Sequence, residues 1–126
     1  MIVEQRDYHV YTGKLPELVR LYETEGVAIQ LEHLGNLVGA FTTDVGEPST
    51  YTHIWAYESF ADREARRARL AADERWAPFL AKIQPLIHTQ RNQITTSAPS
   101  ASSPRAARRG SARRSPVGSR PKARRS

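Results

Sequence analysis

The residues best suited to chemistry stand in one short row: Tyr51, His53, Trp55 and Tyr57. They alternate with Thr52, Ile54 and Ala56, so in an extended strand the rings share one face and the smaller residues take the other. An imidazole that titrates near neutrality among aromatic walls can act as a general base or anchor a ligand. His53 is therefore the candidate catalytic residue, with Tyr51, Trp55 and Tyr57 as candidate ligand contacts. The same alternation suits rings packed inside a sheet or across an interface, and spacing does not separate these readings. Neither HExxH nor a paired histidine with a carboxylate offers metal spacing, so no metal is expected. No glycine-rich loop follows a strand and opens a helix, and no Gly-x-Ser-x-Gly elbow occurs, so no cofactor or serine nucleophile is expected either.

The row needs a strand to hold it. Thr50–Tyr57 and Leu37–Thr43 are both β-rich, and Asp44–Ser49, with Gly46 and Pro48, reads as a hairpin loop of several residues between them. Ile2–Tyr11 reads as a first strand of mixed polarity on both faces, broken at Thr12-Gly13. Leu15, Leu18, Val19 and Tyr22 recur at helical spacing, with Pro16 acceptable in the first turn. Gly26 is a candidate interruption and Gly35 a stop. After the hairpin, Ser59 with Asp62 makes a capping signal for a helix over Phe60–Ala72. Trp76, Phe79, Leu80 and Ile83 mark a further helical piece ended by Pro85, and Leu86–Ile94 a last strand. The charged run Arg63–Arg69 reads as a solvated helix face, or as an anion-binding one.

The stretches HLGNLVGAFTTDVG and HIWAYES, the helix DREARRARL, and the pair Asp73 and Trp76 are similar to the NIPSNAP family. The similarity covers Met1 to Ile94. It implies the dimeric α/β-barrel architecture, in which each subunit is a ferredoxin-like α+β unit. Arg63, Arg69, Asp73 and Trp76 match recurring positions of that family, and Arg63 and Trp76 join the candidate ligand contacts. One departure stands out: Pro48-Ser49 occupies the place where such proteins often carry Leu-Asn.

The element order βαββαβ, with right-handed crossovers, places the strands 4-1-3-2 in an antiparallel sheet with both helices on one face. The other face is left bare, and a second copy is its simplest cover, so a homodimer is expected. Two Trp, five Tyr and three Phe, all within residues 1–94, also suggest more buried surface than one thin core supplies.

Charge divides the chain sharply. Residues 1–94 hold 10 Lys and Arg against 13 acids, and residues 95–126 hold 9 Lys and Arg with no acid, together giving the net +6. The body is thus mildly acidic, and the basic pI belongs to the tail. Rich in Ser, Arg, Ala and Pro, residues 95–126 cannot bury enough apolar surface to offset their ordering entropy and are expected to be disordered. A polycation of this kind would bind nucleic acid or an anionic membrane weakly and without reading sequence. The absence of cysteine excludes disulfides and thiolate chemistry. No apolar run reaches membrane-spanning length and no signal segment precedes Ile2, so a cytoplasmic protein is expected. Two functions fit: a ligand-binding or interaction module, as the resemblance implies, or a cofactor-free monooxygenase or isomerase acting on a small aromatic or polyketide-like substrate.

Overall fold

The structure, a computed structural model, describes residues 1–98. Most of the basic tail lies outside them. Met1–Thr95 forms one compact unit. Four strands, β1 (Ile2–Val10), β2 (Leu37–Thr42), β3 (Thr50–Tyr57) and β4 (Ile87–Thr96), make one sheet in the order β2-β3-β1-β4. This is the expected 4-1-3-2 arrangement read from the other edge, in an antiparallel α+β fold with the helices on one face. β4 continues through Thr95 and Thr96, two residues past the expected boundary.

The first crossover is an almost unbroken helix: α1 (Leu15–Leu21), a π turn (Tyr22–Gly26) and α2 (Val27–His33). Gly26 does not interrupt it. The glycine is required by packing instead, since a Cβ there would stand 2.3 Å from Cζ of Phe79. A π turn carries one extra residue, which rotates everything after it relative to a straight α-helix. The inward series accordingly runs Leu18, Tyr22, Gly26, Gln30, Leu34, all of them buried. Gly35, at φ +81°, ends the helix.

In the second crossover Ser59 caps α3 (Phe60–Ala72), its hydroxyl accepting from the Asp62 N–H at 3.1 Å. A break at Asp73 then redirects the chain into α4 (Trp76–Ile83).

β1 and β3 pair so that Ile2 lies opposite Tyr57, Glu4 opposite Trp55, Arg6 opposite His53 and Tyr8 opposite Tyr51. All eight side chains share the helix-covered face. At one end Tyr8, Val10, Tyr51, Leu18, Tyr22, Phe79, Ile83 and Leu86 form an apolar cluster. Ile2, Tyr57, Trp55, Ile29, Leu34 and Leu70 form a second at the other end. Between them the sheet contributes Glu4, Arg6 and His53. The aromatic surplus is thus largely absorbed in this core, leaving Tyr11, Phe41 and Phe60 exposed.

Candidate functional site

The polar layer is organised by Glu4, whose side chain is wholly excluded from solvent. Two turns of α3 carry Arg63 and Arg67 at i,i+4 spacing, which sets both guanidinium groups over β1. Arg63 grips the carboxylate with two parallel bonds, Nε to Oε1 and Nη2 to Oε2, each 3.0 Å. Arg6, two residues along the strand, donates from Nη1 to Oε2 at 2.8 Å and from Nε to the Tyr8 hydroxyl at 3.0 Å. Burial alone would raise the Glu4 carboxyl, but the hydrogen bonds and charges of Arg63, Arg67 and Arg6 outweigh it and hold the acid below its ordinary range. Glu4 is ionised at neutral pH. One carboxylate faces three guanidinium groups, and two positive charges stay unbalanced within the layer.

Arg67 is the least engaged of the three. Its Nε stands 3.5 Å from Glu4 Oε1, and among the described residues the buried Nε and Nη2 make no hydrogen bond of good geometry, although the Tyr57 hydroxyl is close enough to interact. Gln30, only 1 % exposed, leaves its Oε1 unpartnered as well. Both side chains line a cavity of about 180 Å³ between sheet and helices, together with Arg6, Tyr8, Tyr22 and Trp76. Leu80, Ile83, Ile87, Gln84 and Gln90 complete its wall. Buried polar groups without partners are rare in folded proteins, and two of them on one cavity mark it as a place for a polar guest. A larger hollow of about 620 Å³ lies along Thr24, Ala28, Glu74 and Pro78, but it is an open surface groove whose lining residues include none of the unpartnered buried polar atoms.

Comparison with known proteins gives this architecture a family. The NIPSNAP family pattern matches residues 3–104. The chain belongs to the NIPSNAP family. Human Protein NipSnap homolog 3A is 33% identical over 94 residues, which is 73% of this chain and 37% of the human protein. The chain thus spans little more than a third of that relative's length. A NIPSNAP-family protein of unknown function from Agrobacterium tumefaciens has a crystal structure that is 44% identical, with TM-score 0.77, covering 82% of this chain and 92% of that one. An uncharacterized NIPSNAP domain protein from Burkholderia xenovorans is 36% identical with TM-score 0.77, covering 82% and 99%. An antibiotic biosynthesis monooxygenase matches at TM-score 0.57 and 11% identity, over 79% of this chain and all of that one, which shows a shared fold alone.

In this NIPSNAP chain the candidate residues separate into three groups. Trp76 lines the cavity and stacks on Phe79 at 5.3 Å. Arg63 stands behind it, fixing Glu4. Tyr51, His53, Trp55 and Tyr57 are all buried on the helix-covered face. His53 shares a 2.9 Å hydrogen bond between Nε2 and the Tyr51 hydroxyl, and its ring meets Tyr22 edge-on at 4.7 Å. Burial, followed by the nearby charges of Arg6 and Arg67, lowers its pKa to about 4, so the imidazole is neutral at physiological pH. Burial also raises the Tyr51 phenol to about 12, with Tyr8 and Glu23 adding to the effect. Among the described residues the Trp55 indole N–H has no hydrogen-bond partner, and the Tyr57 hydroxyl lies beside the Arg67 guanidinium.

One expectation needs correction. The Arg63–Arg69 run is not one solvated face, because Arg63 and Arg67 turn inward while Arg66 binds Asp62 and the His33 carbonyl. The other histidines stand apart from His53. His9 lies on the opposite sheet face, 3.6 Å from Glu47 and edge-on to His88. His33 lies 2.8 Å from Asp73. Glu32, His33 and Asp73 bring ligand atoms within 4.8 Å of one another. Arg75 bonds both carboxylates, at 2.9 and 2.8 Å, and meets their charge itself.

Reading the sequence missed Glu4, Arg6, Gln30 and Arg67. The signal available for two of them was parity: Glu4 and Arg6 carry opposite charges on the same strand face as Ile2, Tyr8 and Val10.

Proposed function

We propose that this NIPSNAP chain is a ligand-binding module that holds a small organic molecule between its sheet and helices and assembles as a homodimer through its bare sheet face. The observation that carries the proposal is the cavity with Gln30 and Arg67 on its wall, where the buried Gln30 Oε1 has no hydrogen-bond partner among the described residues and Arg67 is only loosely held by Glu4. Groups of that kind cost about 1–3 kcal/mol each when left unsatisfied, a penalty that a bound ligand would remove. Trp76 and the rings of Tyr8 and Tyr22 supply apolar contact surface, and Arg63 acts through Glu4 to fix the layer.

The test is ligand-observed NMR of the full chain against a library of single-ring fragments. Hits should compete with one another and vanish in Leu80→Trp, which fills the cavity from a half-buried position on α4. Fragments that bind Leu80→Trp as well as the parent chain would place the site elsewhere.

A second reading makes His53 a general base, in a monooxygenase or isomerase of the kind that shares this fold. Its specific support is the His53 Nδ1, buried and unpartnered beside the aromatic cluster. A pKa near 4 makes it a weak base, so the binding reading is preferred.

A further inference from the structure

We infer that the molecule held in the cavity is a single-ring aromatic carboxylate carrying a hydroxyl or N–H donor, with its carboxylate on Arg67 and its donor on Gln30. The inference rests on the binding reading given above and names the class of ligand. Charge comes first: three guanidinium groups share one buried carboxylate, and an anionic guest would balance part of the excess. Geometry then selects the anion. Within the same layer, Arg63 uses its Nε–Nη2 edge to chelate a carboxylate with two 3.0 Å bonds. Arg67 lines the cavity as well and is held less tightly, its Nε standing 3.5 Å from Glu4 Oε1, which leaves its charge only partly met by the one carboxylate. A guanidinium with charge and donors to spare favours an oxyanion, to which its hydrogen bonds are charge-assisted.

Size and lining set the body of the ligand. About 180 Å³ is slightly more than the roughly 150 Å³ of an engineered apolar cavity that binds benzene, which leaves room for one ring and a small substituent. Tyr8, Tyr22 and Trp76 offer ring faces, and Leu80, Ile83 and Ile87 offer aliphatic surface. Gln30 Oε1 is an acceptor, so it asks for a donor on the guest.

The experiment is isothermal titration of the full chain with benzoate, with nitrobenzene, and with inorganic phosphate. Nitrobenzene copies the shape of benzoate without its charge, and phosphate supplies charge without an apolar body. Benzoate should bind at least ten times more tightly than either, and Arg67→Met should remove that preference while Arg67→Lys keeps part of it. Leu80→Trp, which retains the basic tail, should abolish benzoate binding and so separate the cavity from the polycation. The three hydroxybenzoate isomers test the donor: at least one should bind more tightly than benzoate, and Gln30→Met should cancel the gain. Nitrobenzene binding as tightly as benzoate would overturn the carboxylate and leave the cavity reading standing. Phosphate binding as tightly would overturn the aromatic body, and equal binding of all isomers would overturn the donor. Binding of benzoate that survives Leu80→Trp, or no binding of any probe, would remove the cavity reading itself. Should Arg67→Met fail to fold, the comparison of benzoate with nitrobenzene on the parent chain decides alone.

Discussion

At the scale of single residues, the buried His53 turns the interior into a pH-dependent element. In an unfolded chain its imidazole takes a proton near pH 6.5, whereas in the fold burial and the Arg6 and Arg67 charges delay this to about 4. The unfolded state therefore binds more protons between those values, and stability falls as the pH drops from 6.5 towards 4. Above 6.5 both states are neutral at this group and the effect is absent. The full window corresponds to roughly 3 kcal/mol. Urea unfolding at pH 7 and pH 4.5 should show His53→Phe losing much less stability on acidification than the parent chain. An equal loss in both would mean that His53 takes up its proton in the fold as readily as in the unfolded chain. Glu4 differs in cause, because its three arginines outweigh its burial and keep it ionised, but its lowered pKa has the same consequence: stability falls as the pH drops below its unfolded value. Parity on β1 made Glu4 and Arg6 visible as intruders on an apolar face. Glu4's partner Arg63 lies 59 residues away on another element, and nothing in local spacing announces such a contact.

At the scale of elements, the π turn decides which residues reach the site. Helical spacing from Leu18 and Tyr22 makes the first crossover legible, but it places the next inward residues at Glu25 and Ile29. The extra residue of the π turn brings Gly26 and Gln30 inward, Gln30 beside the still-buried Ile29, and leaves Leu31 outside, 44% exposed. Gln30 was therefore unreadable from periodicity, while the hairpin, the strands and the Ser59 cap were readable because their signals are local. Phe79 is the tertiary cause: its ring occupies the space a Cβ at position 26 would need. Gly26→Ala should destabilise by about 1–3 kcal/mol, the usual cost of overpacking a filled core. Phe79→Leu in the same chain should recover part of that loss, giving a favourable coupling in a double-mutant cycle measured by urea unfolding. Additive losses would mean that the ring is not what Gly26 accommodates. The hairpin offers a smaller lesson, since Ser49 holds φ +54°. Asparagine tolerates that left-handed conformation better than serine does, which gives a physical reason for the residue often found there in the family.

At the scale of the whole molecule, one sheet face is left without a partner among the described residues. On the face away from the helices, Phe41 is 53% exposed and its ring lies across Gly39, and Val38 at the neighbouring bulge is 59% exposed. Phe41 pairs in register with Thr52 and Gly39 with Ile54, so the edge of this face nearest β2 is its most apolar part. Asp7, Thr52 and Gln5 occupy the centre, and Asp7 already accepts from the Thr52 hydroxyl at 2.6 Å and from Gln5. A self-complementary interface would bring the apolar edge of one copy over that of another and leave the satisfied polar centre little to lose. Surplus aromatics do not argue for this dimer, because the core consumes most of them; the exposed Phe41 does. Light scattering of the full chain at tens of micromolar should give twice the chain mass, and Phe41→Glu should give a monomer that keeps its far-ultraviolet circular dichroism, because the side chain lies outside the core. A folded Phe41→Glu that remains dimeric would move the interface off this edge, and a parent chain of single mass would remove the dimer from the account.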